Sequence, residues 1–307
     1  MIKKLLPPLG VRYGDFDKYR NYDMSTIHAR FYRDIFDKYM ANGTHYVTSV
    51  RDPADQWESA FHQFNFRRVI SKAVNGHEQM VIINSSLKVP FNKGNSTLDA
   101  INEFLRKPKV YHNDLKQLGE VVWHFGHNSQ MFDLSTDLTM DQIQNETLVN
   151  ITINKLIHEL DAFIVAEYFD ESLLVMKKTF CLTFTDILYV SQNKRELKNK
   201  LPETTRTKIR DWNRADTLLY SRVNESLWKK IHSYGPDFQK DLKYFKNLLL
   251  EVESNCSLPL HKRPFKLNHK TYGKTLKPSA SLFCKMVAGH FADILKRVVD
   301  KQKSQHI

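Results

Sequence analysis

The stretch Tyr46-Val47-Thr48-Ser49-Val50-Arg51-Asp52-Pro53 constrains the fold more than any other. Its β-branched run reads as a short strand. Asp52-Pro53 ends that strand and opens a helix at once, because aspartate is a good N-cap and proline suits the first helical turn. Trp57, Ala60, Phe61 and Phe64 then recur at helical spacing. A strand passing directly into an amphipathic helix is half of a βαβ unit, which points to an α/β chain with parallel strands.

The surrounding sequence extends that pattern. Residues 25–31 and 45–50 are expected as strands, with a helix over 33–40 between them and Gly43 closing it. Residues 144–160 read as a helix, 162–167 as a buried strand, and 171–180 as a helix that Asp170 would cap. Helices are expected over 205–232, 237–253 and 282–299, with 258–277 as a basic, loop-like tail. Between about 70 and 144 the periodicity weakens, only 98–105 is clearly helical, and the stretch reads as an irregular insertion or lid. With no repeat and no low-complexity linker, one domain over 1–307 is expected. Trp57, Phe61, Trp212 and Trp228 lie at helical spacing and read as core.

Composition narrows the function classes. The 41% hydrophobic and 26% charged content excludes a disordered chain, and a net charge of +12 favours an anionic partner. The basic residues are interleaved with acids and no nucleic-acid-binding motif is present, so no nucleic acid is expected. Cys181, Cys256 and Cys284 form no CxxC pair, which argues against a zinc ribbon and leaves one long-range bridge open. His124 and His127 have no third ligand nearby, and no metal is expected. No run approaches the roughly 18 apolar residues of a membrane span, and Met-Ile-Lys-Lys-Leu-Leu-Pro-Pro is too short for a signal-peptide core. Yet Asn42, Asn84, Asn95, Asn145, Asn150, Asn224 and Asn255 all open Asn-x-Ser/Thr sequons, more than the roughly two or three expected by chance, which suggests a lumenal or extracellular protein.

Arg51 falls at the C-terminal end of its strand, where open α/β sheets bind ligands, and Ser59 lies about two helical turns further on. A guanidinium fork with a hydroxyl is a sensible clamp for a phosphate, although strand-Arg-Asp-Pro-helix is also an ordinary structural junction. Asp170 and Glu171 are adjacent acids that point apart on a helix start. Lys274, in Tyr272-Gly273-Lys274, lies in a basic loop that could reach a nucleotide.

The segment Thr44-His-Tyr-Val-Thr-Ser-Val-Arg-Asp-Pro-Ala-Asp-Gln-Trp-Glu-Ser-Ala-Phe resembles the 3′-phosphate-binding segment of the galactose-3-O-sulfotransferase family, which includes galactosylceramide sulfotransferase. Ile27-His-Ala-Arg-Phe31, the stretch around Glu167-Tyr-Phe-Asp-Glu-Ser-Leu173, and Asp186-Ile-Leu-Tyr-Val-Ser-Gln with its helical continuation are similar to the same family. The resemblance implies a P-loop-type sulfotransferase fold with a parallel central sheet flanked by helices. It implies transfer of a sulfuryl group from 3′-phosphoadenosine 5′-phosphosulfate (PAPS) to the 3-hydroxyl of galactose on a glycolipid or glycoprotein glycan. Arg51 and Ser59 match positions that hold the 3′-phosphate. His28 matches the base that takes the hydroxyl proton, and its ordinary pKa near 6.5 suits a mildly acidic lumen. A Golgi type II membrane protein is the implied setting, with membrane contact only through an N-terminal anchor that the sequence does not contain.

The family's phosphosulfate loop, of the type Lys-Thr-x-Lys-x-x-Ser/Thr after an N-terminal strand, has no counterpart upstream of His28, where Lys3-Lys4 precedes Leu-Leu-Pro-Pro. The missing loop, the missing anchor and the sequons are expected to share one cause, an N-terminally short sequence. The alternative is an inactive relative serving as a glycan- or nucleotide-binding module.

Overall fold

The computed structural model describes residues 30–70, 96–118, 121–135, 138–191, 194–195, 200–258, 265–268 and 271–288. In chain order the elements are α1 (Arg33–Tyr39), β1 (Val47–Val50), α2 (Pro53–Gln63), α3 (Thr97–Arg106), α4 (Pro108–Gln117), a 3-10 turn (Val121–Gly126), α5 (Ser129–Leu134), α6 (Glu146–Glu159) and β2 (Ala162–Val165). They continue with α7 (Phe169–Thr179), β3 (Lys194–Arg195), α8 (Glu203–Trp212), α9 (Arg214–Tyr234), α10 (Phe238–Cys256), β4 (Phe265–Asn268), β5 (Thr271–Gly273) and α11 (Leu282–Val287). The described residues group into two compact units, one holding 30–167 and 201–226, the other 168–200 and the residues from 227 onward.

In the first unit β1 and β2 pair in parallel, with Val47 opposite Ala162 and Val50 opposite Val165. This small parallel sheet sits among helices, so the chain is a mostly helical α/β protein. The junction at Asp52 forms as its residues dictate. Asp52 caps α2 by accepting the Ala54 N–H, and Pro53 occupies the first turn. The buried face of α2, Ala54, Trp57, Ala60 and Phe61, packs with Ile101, Phe104, Tyr111, Leu115 and Ile209 from α3, α4 and α8. Trp57 lies 5.3 Å from Phe61 and 5.1 Å from Phe104 between ring centroids. Each such side chain contributes about 1.5–3 kcal/mol on burial. The indole N–H groups of Trp57 and Trp212 both donate to the carbonyl of Gly126, at 3.0 and 2.7 Å. α6 starts at Asn145, which caps it, and buries Val149, Ile153 and Leu156 along one stripe before the chain turns into β2.

Of the stretch 70–144 expected as an irregular insertion, residues 71–95 lie outside the described residues, while the described residues from 96 onward carry three helices, the first at the expected 98–105, and part of the core. Ser96 and Asp99 form a reciprocal capping box at the start of α3, and Pro108 opens α4. The helices are short, and buried positions in them include His112 and Ser129, so the apolar period is blurred although the faces are buried. Strand 25–31 lies outside the described residues except for Arg30 and Phe31, which are in neither helix nor strand.

In the second unit α7 packs against α10. Asp170 does not cap α7. The cap position is Tyr168, and Asp170 sits in the first turn, where it accepts the Tyr189 hydroxyl at 2.8 Å. The basic tail is not only loop: it supplies β4 and β5, which join β3 in a small antiparallel sheet in the order β3-β5-β4. Its strands are too short to give an alternating pattern. Cys256 at the end of α10 is disulfide-bonded to Cys284 in α11. Trp228 is 37% exposed and makes an edge contact with Tyr168 instead of joining a core. Among the described residues no helix is long and apolar enough to cross a membrane.

Candidate functional site

Parallel pairing puts the C-terminal ends of β1 and β2 on one edge, and the register carries Arg51 and Asp52 alongside Ala166 and Glu167. The Asp52 N–H donates to the Glu167 carboxylate at 3.0 Å, which joins the two strand exits. Arg51 is held through its backbone. Its N–H donates to Gln130 Oε1 at 2.8 Å, and Gln130 Nε2 donates back to the Arg51 carbonyl at 2.9 Å. The Arg51 side chain is exposed, and among the described residues no carboxylate pairs with it.

Gln130 is itself fixed by the start of α5. The carboxylate of Asp216, at the beginning of α9, accepts the backbone N–H of Gln130 at 3.2 Å and of Met131 at 2.7 Å. In return the side-chain oxygen of Asn128, just before α5, accepts the N–H of Ala215 at 3.0 Å and of Asp216 at 3.2 Å. Each helix start is therefore capped by a residue at the other's N-terminus. With Asn128 Oδ1 occupied in this way, its Nδ2 faces His127 Nε2 at 3.0 Å, so that nitrogen must accept and the His127 proton sits on Nδ1. The Asn128 backbone is left-handed, with φ 47°. His127 stacks on Trp212 at 3.9 Å.

Burial shapes the charges here. It pushes the Asp216 carboxyl up to about 7, outweighing the N–H groups of Met131 and Gln130. Burial pulls His127 down to about 3, assisted by His112, and pulls His112 down to about 4, assisted by Lys116. Both imidazoles are neutral.

Behind Arg51, Asp52 is tied to α8. Arg210 Nη2 lies 2.7 Å and Arg206 Nη2 3.2 Å from Asp52 Oδ2. Arg206 also pairs with Asp55, and both arginines pair with Glu203. Burial pushes the Asp52 carboxyl up, but the hydrogen bonds from Arg210 and the Ala54 N–H and the two guanidinium charges outweigh it and hold it below its ordinary value. These ion pairs consume the acids around the helix start, leaving Arg51 as the outward cation.

Ser59 is partly buried on α2, one turn beyond Asp55 and on the same side of the helix. It lies on the order of 10 Å along the axis from Asp52. Arg51 and Ser59 thus belong to one βα junction. Lys274, in the other unit, follows β5, and its ammonium is nearly buried in an ion pair with Glu253 of α10. His28 lies outside the described residues. Gln130, Asp216 and the Arg206–Arg210 pair were not evident from sequence reasoning. The only signal was the four-residue spacing of the arginines on a predicted helix, which places them on one face.

Comparison with known proteins matches a family described as galactose-3-O-sulfotransferase to residues 12–257. The chain is 29% identical over 216 residues to galactose-3-O-sulfotransferase 3 of Bos taurus, an alignment covering 68% of this chain and 43% of that protein. It is 29% identical over 214 residues to galactosylceramide sulfotransferase of Bos taurus, covering 68% and 43%. To galactose-3-O-sulfotransferase 2 of Homo sapiens it is 26% identical over 220 residues, covering 71% and 48%. The chain thus spans less than half the length of these relatives. No solved structure matches it.

Proposed function

The chain belongs to the galactose-3-O-sulfotransferase family, and from that premise we propose that it transfers a sulfuryl group from PAPS to the 3-hydroxyl of galactose on a glycolipid or glycoprotein glycan. The observation that carries this reading is Arg51: an outward guanidinium on a backbone locked by Gln130 at the C-terminal edge of the parallel pair. That donor set fits a phosphate, because the neighbouring carboxylates Asp52, Asp55 and Glu203 are already matched by Arg206 and Arg210.

In this reading Arg51 and Ser59 hold the 3′-phosphate of the donor. When bound, PAPS supplies the activated sulfuryl group. Arg51 acts remotely from the reacting sulfur, so its contribution is mainly to binding. His28 takes the proton from the galactose hydroxyl. Lys274 is a second candidate for nucleotide contact, and reaching it would require exchange of its Glu253 partner. The P-loop-type sulfotransferase fold over the chain as a single domain belongs to the same proposal. The Cys256–Cys284 disulfide and the sequons support an oxidising lumenal compartment, which we read as the Golgi.

The test is sulfate transfer from radiolabelled PAPS to galactosylceramide and to a galactose-terminated oligosaccharide, comparing residues 1–307 with a form that carries a lysine-bearing phosphosulfate loop ahead of His28, and that form with its Arg51→Ala and His28→Ala variants. We expect residues 1–307 alone to transfer poorly, the loop-bearing form to label the acceptor, a raised KM for PAPS in its Arg51→Ala variant, and a kcat lowered about 10²–10⁴-fold in its His28→Ala variant. Nucleotide binding without transfer to either acceptor would instead establish a binding module.

A further inference from the structure

The seven sequons are not equivalent once the chain is folded: five lie among the described residues, and the structure separates four of them. We propose that Asn42 and Asn145 carry N-linked glycans in the native protein and that Asn150 and Asn224 do not. The inference rests on the lumenal reading above. It requires a lipid-diphosphate-linked oligosaccharide as donor: the side-chain Nδ2 bonds to the sugar C1 as the C1–O bond to diphosphate breaks, and the amide proton is released.

A glycosylated asparagine must keep its Nδ2 in solvent, because the glycan cannot be buried. Asn42 meets this in an exposed turn, followed by Gly43 at φ 81°. That turn leads to the N-terminal end of β1, the edge opposite Arg51. Four strand residues, roughly 13 Å, separate the two, so a glycan there leaves the strand exits uncovered.

Asn145 meets it differently. As the cap of α6 it uses only its oxygen, which accepts the N–H of Thr147 at 3.0 Å and of Leu148 at 3.2 Å. Asn145 and Thr147 are both exposed, and Nδ2 donates to nothing among the described residues. Glycosylation replaces one Nδ2 hydrogen and leaves the carbonyl oxygen intact, so the cap survives the modification.

Asn150 and Asn224 differ from both: each lies inside a helix and is half-buried, whereas Asn42 and Asn145 are exposed. Asn150 gives one Nδ2 hydrogen to the Glu146 carbonyl at 2.9 Å, and its sequon threonine, Thr152, is buried, unlike Thr44 and Thr147. Asn224 lies inside α9 with its side-chain oxygen buried. Asn255 is exposed, but Cys256 is bridged and Ser257 is buried, so no assignment is made for it. Asn84 and Asn95 lie outside the described residues.

Residues 1–307 should be delivered to the secretory lumen behind a cleavable leader, and the folded, secreted fraction digested with peptide N-glycosidase in heavy-oxygen water before mass spectrometry. We expect Asn42 and Asn145 to be recovered as labelled aspartate and Asn150 and Asn224 as unlabelled asparagine. Thr44→Ala and Thr147→Ala should each remove one glycan, the second without touching the cap. A non-reducing peptide map for Cys256–Cys284 reports the compartment independently. If the bridge is present but Asn42 or Asn145 is bare, or Asn150 or Asn224 is labelled, the proposal is wrong while the lumenal reading stands. If neither bridge nor glycan forms, both fall together.

Discussion

Gln130 grips Arg51 by both ends of its backbone, accepting its N–H at 2.8 Å and donating to its carbonyl at 2.9 Å. A side-chain amide that matches the two main-chain groups of one residue behaves like an extra strand partner. It holds the strand exit still while leaving the guanidinium outside.

Arg51→Ala should therefore weaken adenosine 3′,5′-bisphosphate binding by about 10–100-fold, the worth of one charged hydrogen-bonding partner, with little change in thermal stability because the side chain is exposed. Gln130→Ala should cost less affinity than Arg51→Ala but raise amide hydrogen exchange at Arg51. Calorimetric titration and exchange mass spectrometry measure the two effects. Equal affinity of all three proteins would remove Arg51 from the site.

Asp52 caps α2 and pairs with two arginines, so its loss leaves both a bare helix start and partly buried cations. We expect Asp52→Ala to destabilise by about 2–4 kcal/mol, combining a cap of about 1 kcal/mol with a pair less buried than those worth 3–5. Asp52→Asn should fall between, since it keeps a capping oxygen. Its folded pKa is depressed, so its contribution is present above the ordinary carboxylate value near 4 and lost as pH falls further. Urea melts at pH 7 and pH 3 check both magnitude and sign, and indistinguishable variants would contradict the account.

Asp216 carries the opposite sign. Its folded pKa of about 7 exceeds the unfolded value near 4, so its contribution is complete below pH 4 and disappears as pH rises through 7. The His127 and His112 contributions, with folded values of about 3 and about 4, are present above pH 6.5 and lost on acidification. Asp216→Asn isolates the first effect: wild type should lose stability relative to the variant as pH rises from 4 to 7. A stability difference that stays constant across that window would show that Asp216 does not titrate there.

Breaking the Cys256–Cys284 bridge should cost about 3–4 kcal/mol on chain-entropy grounds for a 28-residue separation. Cys284→Ser should lower Tm and speed proteolysis between those residues, whereas Cys181→Ser, at an exposed free thiol, should do neither. Comparable Tm values for the three proteins would show that the bridge contributes nothing.

The βα junction was legible because every signal at it is local. A β-branched run, an N-cap, a proline and a 3.6-residue stripe all lie within about fifteen residues, and each specifies the same structure. Residues 96–144 were harder to read because their helices are short and their buried faces include His112, Asn128 and Ser129, whose polar atoms are satisfied by residues distant in sequence. Asp216 could not be recognised as a cap from sequence, since the helix it caps begins at Ser129. Likewise Gln130 has no sequence signature, because its partner is a backbone and any residue offers the same one.

The carbonyl of Gly126, shared by Trp57 and Trp212, has a consequence for how the chain tolerates change. With both of its lone pairs engaged, the oxygen has a reserve partner. Trp→Phe at either position alone gives up one hydrogen bond, about 0.5–1.5 kcal/mol, and leaves the oxygen paired, but both together strand it, at about 1–3 kcal/mol more. A double-mutant cycle should read this as a loss greater than the sum of its parts, and additive losses would argue against a shared acceptor. Over evolutionary drift the two tryptophans then back one another as donors: the oxygen stays paired when either is lost, and the first loss raises the cost of the second.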